Sequence, residues 1–141
     1  MRHNRLVLIT LSVLLITLIH VPLSKAVTWS EDYPVTVDTE SDWSPSAIQT
    51  DDGKIWVAWH SYRMGVPNSE IFYNIYDGSS WYDDSYVTTN MRLTTNPNQD
   101  LTPSIMQAQD GKIWLVWATD RTGNFEIYYK TYDGTNWSQE R

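Results

Sequence analysis

After residue 26 the apolar positions recur with period two, and no stretch holds a helical period of useful length. In residues 55–59, Ile55, Val57 and Trp59 point one way while Trp56 and Ala58 point the other. Residues 113–118 repeat this, with Ile113, Leu115 and Trp117 against Trp114, Val116 and Ala118. A strand apolar on both sides belongs to a sheet covered on both sides. A second strand type follows at residues 70–76 and 126–132, where Ile71, Tyr73 and Ile75 oppose Phe72 and Tyr76. It is slightly more polar, as expected of a strand further from the centre. First strands at 46–50 and 104–108 precede the two-faced ones, and Trp81 and Trp137 each open a fourth.

The breaks between strands are as regular as the strands. The frame Asp-Gly-x-x-Trp occurs four times: Asp52, Gly53 and Trp56; Asp77, Gly78 and Trp81; Asp110, Gly111 and Trp114; Asp133, Gly134 and Trp137. Asp-Gly signals a tight hairpin, because both central residues of the favoured two-residue turn need positive φ. A Trp at constant distance then enters each following strand at the same place. The four frames are two kinds of hairpin in alternation. Residues 42–65 align with 100–123 and 70–81 with 126–137, and 19 of these 36 positions are identical. The first copy carries two extra residues between Gly65 and Glu70, where a loop absorbs them.

These patterns predict an all-β chain of two four-stranded antiparallel β-propeller blades, 42–99 and 100–141, preceded by a lead-in strand within 27–41. A two-layer β-sandwich fits the length, but it demands one polar face per strand, which the two-faced strands contradict. Closed propellers use about 4–8 blades. Two blades would therefore leave open ends, to be covered by self-association or by further blades of a longer chain.

Residues 1–26 stand outside the repeat. Arg2, His3 and Arg5 lead into a mostly apolar run at 6–19, which ends at Pro22 and the small-residue site Ser24-Lys25-Ala26. This reads as a secretory signal peptide, and an uncleaved anchor is the alternative, since residues 6–23 approach the ~20 residues of a bilayer span. On either reading the remainder is exported, to the periplasm, the cell surface or the medium. Any membrane contact would run through that segment alone.

Residues 27–141 hold 7 basic and 17 acidic side chains, a surface that repels phosphate backbones and anionic headgroups and argues against nucleic acid as a partner. Cysteine is absent, which removes disulfides, thiol nucleophiles and cysteine–zinc sites. Stability must come from packing, and all eight Trp and nine Tyr lie in this part.

At Arg92-Leu93-Thr94-Thr95-Asn96-Pro97, Pro103-Ser104, Asp110-Gly111-Lys112-Ile113, Asp120-Arg121-Thr122-Gly123-Asn124, Glu126-Ile127-Tyr128 and Asp133-Gly134, the chain resembles the blade repeat of TolB-type propellers. It is also similar to the Asp-box repeats of sialidase-like propellers: Asp51, Gly53 and Trp56 meet the pattern Ser-x-Asp-x-Gly-x-x-Trp. Gln49 replaces its Ser, and Gln109 replaces the Asp in the second copy. The resemblance spans about residues 34–141. It implies an exported, non-catalytic scaffold whose loops bind a protein or a glycan. The alternative it implies is a partial sialidase-like glycoside hydrolase, which would need three arginines from different blades, an acidic acid/base and a Tyr–Glu nucleophile pair.

Against that requirement, Arg63 and Arg121 are repeat equivalents, as are Arg92 and Arg141. Groups that obey internal symmetry read as structural, and Arg63 and Arg121 are expected to pair with Glu70 and Glu126 or with loop carbonyls of their own blades. His60, the one histidine after the leader, lacks a Ser–Asp partnership and reads as a packing or hydrogen-bonding group. No catalytic residue is assigned. Asp38, Glu40 and Asp42 recur as Asn96, Asn98 and Asp100, a spacing that can suit Ca²⁺ but that turn-forming side chains also explain. The candidate ligand surface comprises Trp43, His60 and Tyr62, with Trp29 and Tyr33 as further exposed aromatics.

Overall fold

The computed structural model describes residues 30–82 and 91–141. The expected signal peptide, residues 27–29 and Trp29 lie outside them. Among the described residues the chain is all-β and forms two three-stranded antiparallel sheets. The first has the order β1 (Asp42–Gln49), β2 (Ile55–Ser61), β3 (Glu70–Tyr76); the second has β4 (Asp100–Gln107), β5 (Ile113–Thr119), β6 (Glu126–Tyr132). Residues 30–41, where a lead-in strand is expected, contain none.

The Asp-Gly turns close the β1–β2 and β4–β5 hairpins, but not as two-residue loops. Thr50 N–H donates to the Lys54 carbonyl at 2.9 Å and Gly53 N–H to the Thr50 carbonyl at 2.8 Å; Ala108, Lys112 and Gly111 repeat both bonds. Only the glycines have positive φ, 84° at Gly53 and 81° at Gly111. This is the three-residue hairpin loop that ends on a left-handed glycine. Asp52 and Asp110 act through their carboxylates, which accept the N–H groups of Lys54 and Lys112.

Each sheet also carries one bulge at the same repeat position. The β1–β2 register shifts between Trp43 and Ser46, and the β4–β5 register between Leu101 and Ser104. Ser44 (φ 52°) and Thr102 (φ 48°) take up the extra residue immediately before Pro45 and Pro103. Proline cannot donate to a ladder, so it sits where the ladder is broken.

Among the described residues no fourth strand follows β3 or β6, and most of the first one, beyond Tyr82, lies outside them. Trp81 and Trp137 make single bridges to Tyr76 and Tyr132. The reason lies on the outer edges of β3 and β6, where side-chain oxygens replace backbone acceptors. Ile71 N–H donates to Thr94 Oγ1 at 2.9 Å, Ile75 N–H to Asn74 Oδ1 at 2.8 Å, and Thr131 N–H to Ser138 Oγ at 3.0 Å. Each such bond interrupts the ladder that a fourth strand would extend. Arg141 exchanges both backbone bonds with Tyr129, one residue out of register with the Trp137–Tyr132 bridge.

The two sheets pack face to face in the same sense. Trp56, Ala58, Ile71 and Ile75 of the first sheet meet Ile105, Ile113, Leu115 and Trp117 of the second, with Leu93 among them. Each of the larger side chains contributes about 1.5–3 kcal/mol on burial. Because the stacking is translational, the face of the second sheet equivalent to the one bearing Trp56 points outward. β2 is covered on the side of Trp56 and Ala58, while its other side runs from exposed Ile55 through half-buried Val57 to buried Trp59, so the expected two-sided cover is only partial. β5 is covered on one side: Ile113, Leu115 and Trp117 are buried, while Trp114, Val116 and Ala118 stay half-exposed.

Candidate functional site

The turn ends of the two sheets lie side by side and enclose an open cleft of about 490 Å³. Trp56, Ile75 and Ile113 form its floor, Tyr82 and Tyr132 flank it, and Asp51, Asp52, Lys54 and Gln107 supply polar groups. A bond between the sheets fixes its width: Asp51 N–H donates to Gln107 Oε1 at 2.8 Å. Gln107 Nε2 donates in turn to the Gly111 carbonyl at 3.1 Å.

Behind this floor stands an aromatic cluster built from both sheets. Trp56 stacks on Tyr73 at 5.6 Å, Tyr132 tilts against Trp56 at 5.4 Å, and Trp137 meets Tyr73 edge-on at 5.4 Å. Trp137 Nε1 donates to the Tyr73 hydroxyl at 3.0 Å. Three of the four residues are placed by the Asp-Gly-x-x-Trp frames or the tyrosines preceding them. The aromatic motif residues thus build the wall of the cleft and its backing, while Asp52 of the same frame adds a polar group.

The charge of the rim is set by the turns. The Lys54 ammonium and Thr50 hydroxyl on Asp52 hold its carboxyl down at about 2. The N–H groups of Ser80 and Ser79 and the Ser79 hydroxyl do the same for Asp77, also at about 2, and Asp133 is lowered by the amides of Asn136 and Thr135. All are carboxylates at neutral pH. Of the three, Asp52 lines the cleft and places a fixed carboxylate beside Tyr82 and Tyr132.

The three residues of the expected ligand surface come together at the far end of the first sheet, but not as one exposed patch. Trp43 pairs with His60 across β1 and β2 and is 56% exposed, and Tyr62 lies edge-on to the imidazole at 6.0 Å. His60 itself is buried between the sheets, where Nδ1 accepts the Thr102 N–H at 3.4 Å. Burial lowers its pKa despite Asp42 and so favours the neutral ring, and the Thr102 N–H selects the tautomer whose Nδ1 accepts. The Thr102 bulge aims that amide. Tyr33 is 76% exposed and stands apart from the cleft.

Arg63 and Arg121 pair within their own repeats, but with other partners than expected. Arg63 Nη2 contacts Asp42 Oδ1 at 2.9 Å, Arg63 Nε lies 3.5 Å from Asp38 Oδ2, and the guanidinium covers the Phe72 ring at 4.4 Å. Arg121 Nη2 contacts Asp100 at 3.2 Å, Nη1 pairs with Glu140, and the guanidinium covers Tyr128 at 4.3 Å. The first-strand aspartates win because the bulge sets Asp42 opposite Ser61 and Asp100 opposite Thr119, two residues from each arginine. Glu70 instead accepts the Thr94 hydroxyl at 2.6 Å.

Four of the six side chains considered for Ca²⁺ are engaged in other contacts. Asp38 Oδ1 caps Glu40 N–H at 2.8 Å, Asn96 Oδ1 caps Asn98 N–H at 2.9 Å, and Asp42 and Asp100 face arginines. No group of three metal-ligating side chains converges among the described residues. Tyr82, Lys54 and Gln107 were not singled out by the sequence, and Asp51 only as part of the Asp-box pattern. Their only signal was that equivalent turns of stacked repeats must end side by side.

No protein-family model matches the chain, and no curated protein matches it.

Proposed function

We propose that the chain is an exported, non-catalytic binding module built from propeller-type blades of the TolB or Asp-box kind, and that the turn-end cleft takes its ligand. The observation that carries this reading is the cleft itself. Its volume falls within the ~300–1,000 Å³ of small-ligand sites, and it combines aromatic flanks with a few convergent polar groups. Tyrosine rings beside carboxylate and amide acceptors suit the C–H faces and hydroxyls of a neutral glycan. A protein loop is the other ligand class for the module.

A sialidase-like hydrolase is not favoured. Arg63 and Arg121 are committed to Asp42, Asp38, Asp100 and Glu140, so neither is poised to hold a substrate carboxylate. A fluorogenic sialoside should show no turnover with the purified chain. The reading is tested by titrating neutral oligosaccharides into ¹⁵N-labelled protein. Shifts should gather at Asp51, Asp52, Lys54, Tyr82 and Gln107, and Tyr82→Ala should weaken binding about tenfold, since one ring contact contributes about 0.5–1.5 kcal/mol beyond its buried area. Shifts confined to Trp43 and Tyr62, or none with any glycan, would refute the glycan assignment.

A further inference from the structure

The outward face of the second sheet is the repeat equivalent of a face the molecule already covers elsewhere. Trp114 and Tyr129 stack there at 4.9 Å, as Trp56 and Tyr73 do at 5.6 Å on the first sheet. Around them Met106 is 54% and Ile127 72% exposed, while Ile71, the counterpart of Ile127, is fully buried. In the first sheet the Trp56–Tyr73 pair is closed by Tyr132 and Trp137 of the neighbouring sheet. Nothing closes the Trp114–Tyr129 pair in this way among the described residues.

The group that would close it exists in the same chain. Tyr76 and Trp81 precede and follow the Asp77-Gly78 turn as Tyr132 and Trp137 do Asp133-Gly134, and their rings adopt the same arrangement: 5.4 Å and 50° against 5.4 Å and 47°. They lie with Ile55, 36% exposed, and half-buried Val57 at the turn end of the first sheet's other side, which corresponds to the side of the second sheet that packs inward; Trp59 and Phe72 at its far end are already buried within the chain. The polar tethers also have counterparts. Tyr129 stands for Tyr73 as acceptor of an indole N–H, Ser104 for Ser46 as acceptor of the Ile105 amide, and Gln49 for Gln107 as acceptor of the Asp51 amide.

We infer that the outward face of the second sheet is covered by a second copy of this chain, stacked head to tail so that its Tyr76–Trp81 hairpin closes over Trp114 and Tyr129. The contact repeats the turn-end part of the interface between β1–β3 and β4–β6, the part that Tyr132 and Trp137 close. It is heterologous, so it propagates from copy to copy until the rotation closes a ring. Three strands of seven or eight residues give a footprint of about 350 Å², from a ~3.3 Å rise and ~4.8 Å strand spacing. An interface of that size is weak for one contact, so association belongs to the micromolar range or above.

Sedimentation equilibrium of the processed chain from about 5 to 200 µM tests this. The wild type should rise to at least twice the monomer mass. Met106→Lys/Ile127→Lys blocks the outward face and Ile55→Lys/Trp81→Lys blocks its partner; each variant alone should stay monomeric, with far-ultraviolet spectra like the wild type. Mixed in equal amounts, the two should form a one-to-one dimer through the surfaces each retains. Tyr129→Phe, which keeps the ring and removes only the acceptor, should weaken association severalfold. A wild type that remains monomeric throughout overturns the inference. So does self-pairing of the Ile55→Lys/Trp81→Lys variant, which would mean that like faces meet.

Discussion

Asp100 shows what single residues do in this molecule. It is fully buried, accepts Trp117 Nε1 at 3.0 Å and holds Arg121, so one carboxylate ties the start of β4 to the end of β5 and the loop after it. Asp100→Ala strands a buried indole N–H and half of a guanidinium. It should cost about 2–3 kcal/mol in urea unfolding, less than the loss of a fully isolated pair because Glu140 remains on Arg121. Glu70 has the opposite balance. Burial raises its pKa, only partly offset by the Thr94 hydroxyl and by Arg92. Its contribution to stability is therefore fully present below the carboxyl's unfolded pKa and is lost as pH rises through the folded value. Glu70→Gln should gain in melting temperature relative to wild type as pH increases from 4 to 8, a difference that thermal scans would read directly. The structural character of Arg63 and Arg121 was legible from their symmetry, but their partners were not. The choice between Glu70 and Asp42 depends on a bulge at Ser44 that no residue in the sequence announces beyond Pro45.

At the scale of elements, β2, β3, β5 and β6 follow the alternation and the repeat closely. Side-chain period and β-branched and aromatic content are local properties. After β6 the expected fourth strand shrinks to a bridge for a reason that alternation does not carry. Whether an edge amide meets a carbonyl or a neighbouring hydroxyl depends on Thr94, Asn74 and Ser138, which look like ordinary strand or loop residues. The turns were recognised and their type misjudged, since a left-handed glycine alone serves a three-residue loop. Gly111→Ala tests that geometry cleanly, because a Cβ there meets nothing within 4 Å and the penalty is purely conformational. It should cost about 1–2 kcal/mol in chemical denaturation, and Gly111→Asn clearly less. Between elements, Tyr73→Phe removes the acceptor of Trp137 Nε1 while leaving the rings in place. A loss of about 1–3 kcal/mol is expected, together with a change in the near-ultraviolet signal of the aromatic cluster.

For the whole molecule, the interior and the exterior follow from one operation, the translation of a repeat. The cleft was not legible in any single repeat, because its walls belong to two. The same translation explains why β5 is covered on one side only. The export reading belongs to this scale too: N-terminal sequencing of chain recovered from the medium should begin at Val27, and retention of residues 1–26 in a membrane fraction would favour the anchor instead. The hydroxyl and amide oxygens of Thr94, Asn74 and Ser138 have a bearing on the molecule's safety as well as its shape. An exposed row of strand amides is a template for fibrils, and here half the row is already engaged by its own side chains. Aromatic-rich sheets can thus crowd together broadside while their margins refuse to recruit a stranger. Removing those oxygens, as in Thr94→Val with Ser138→Ala, should shorten the lag before thioflavin-positive aggregates form.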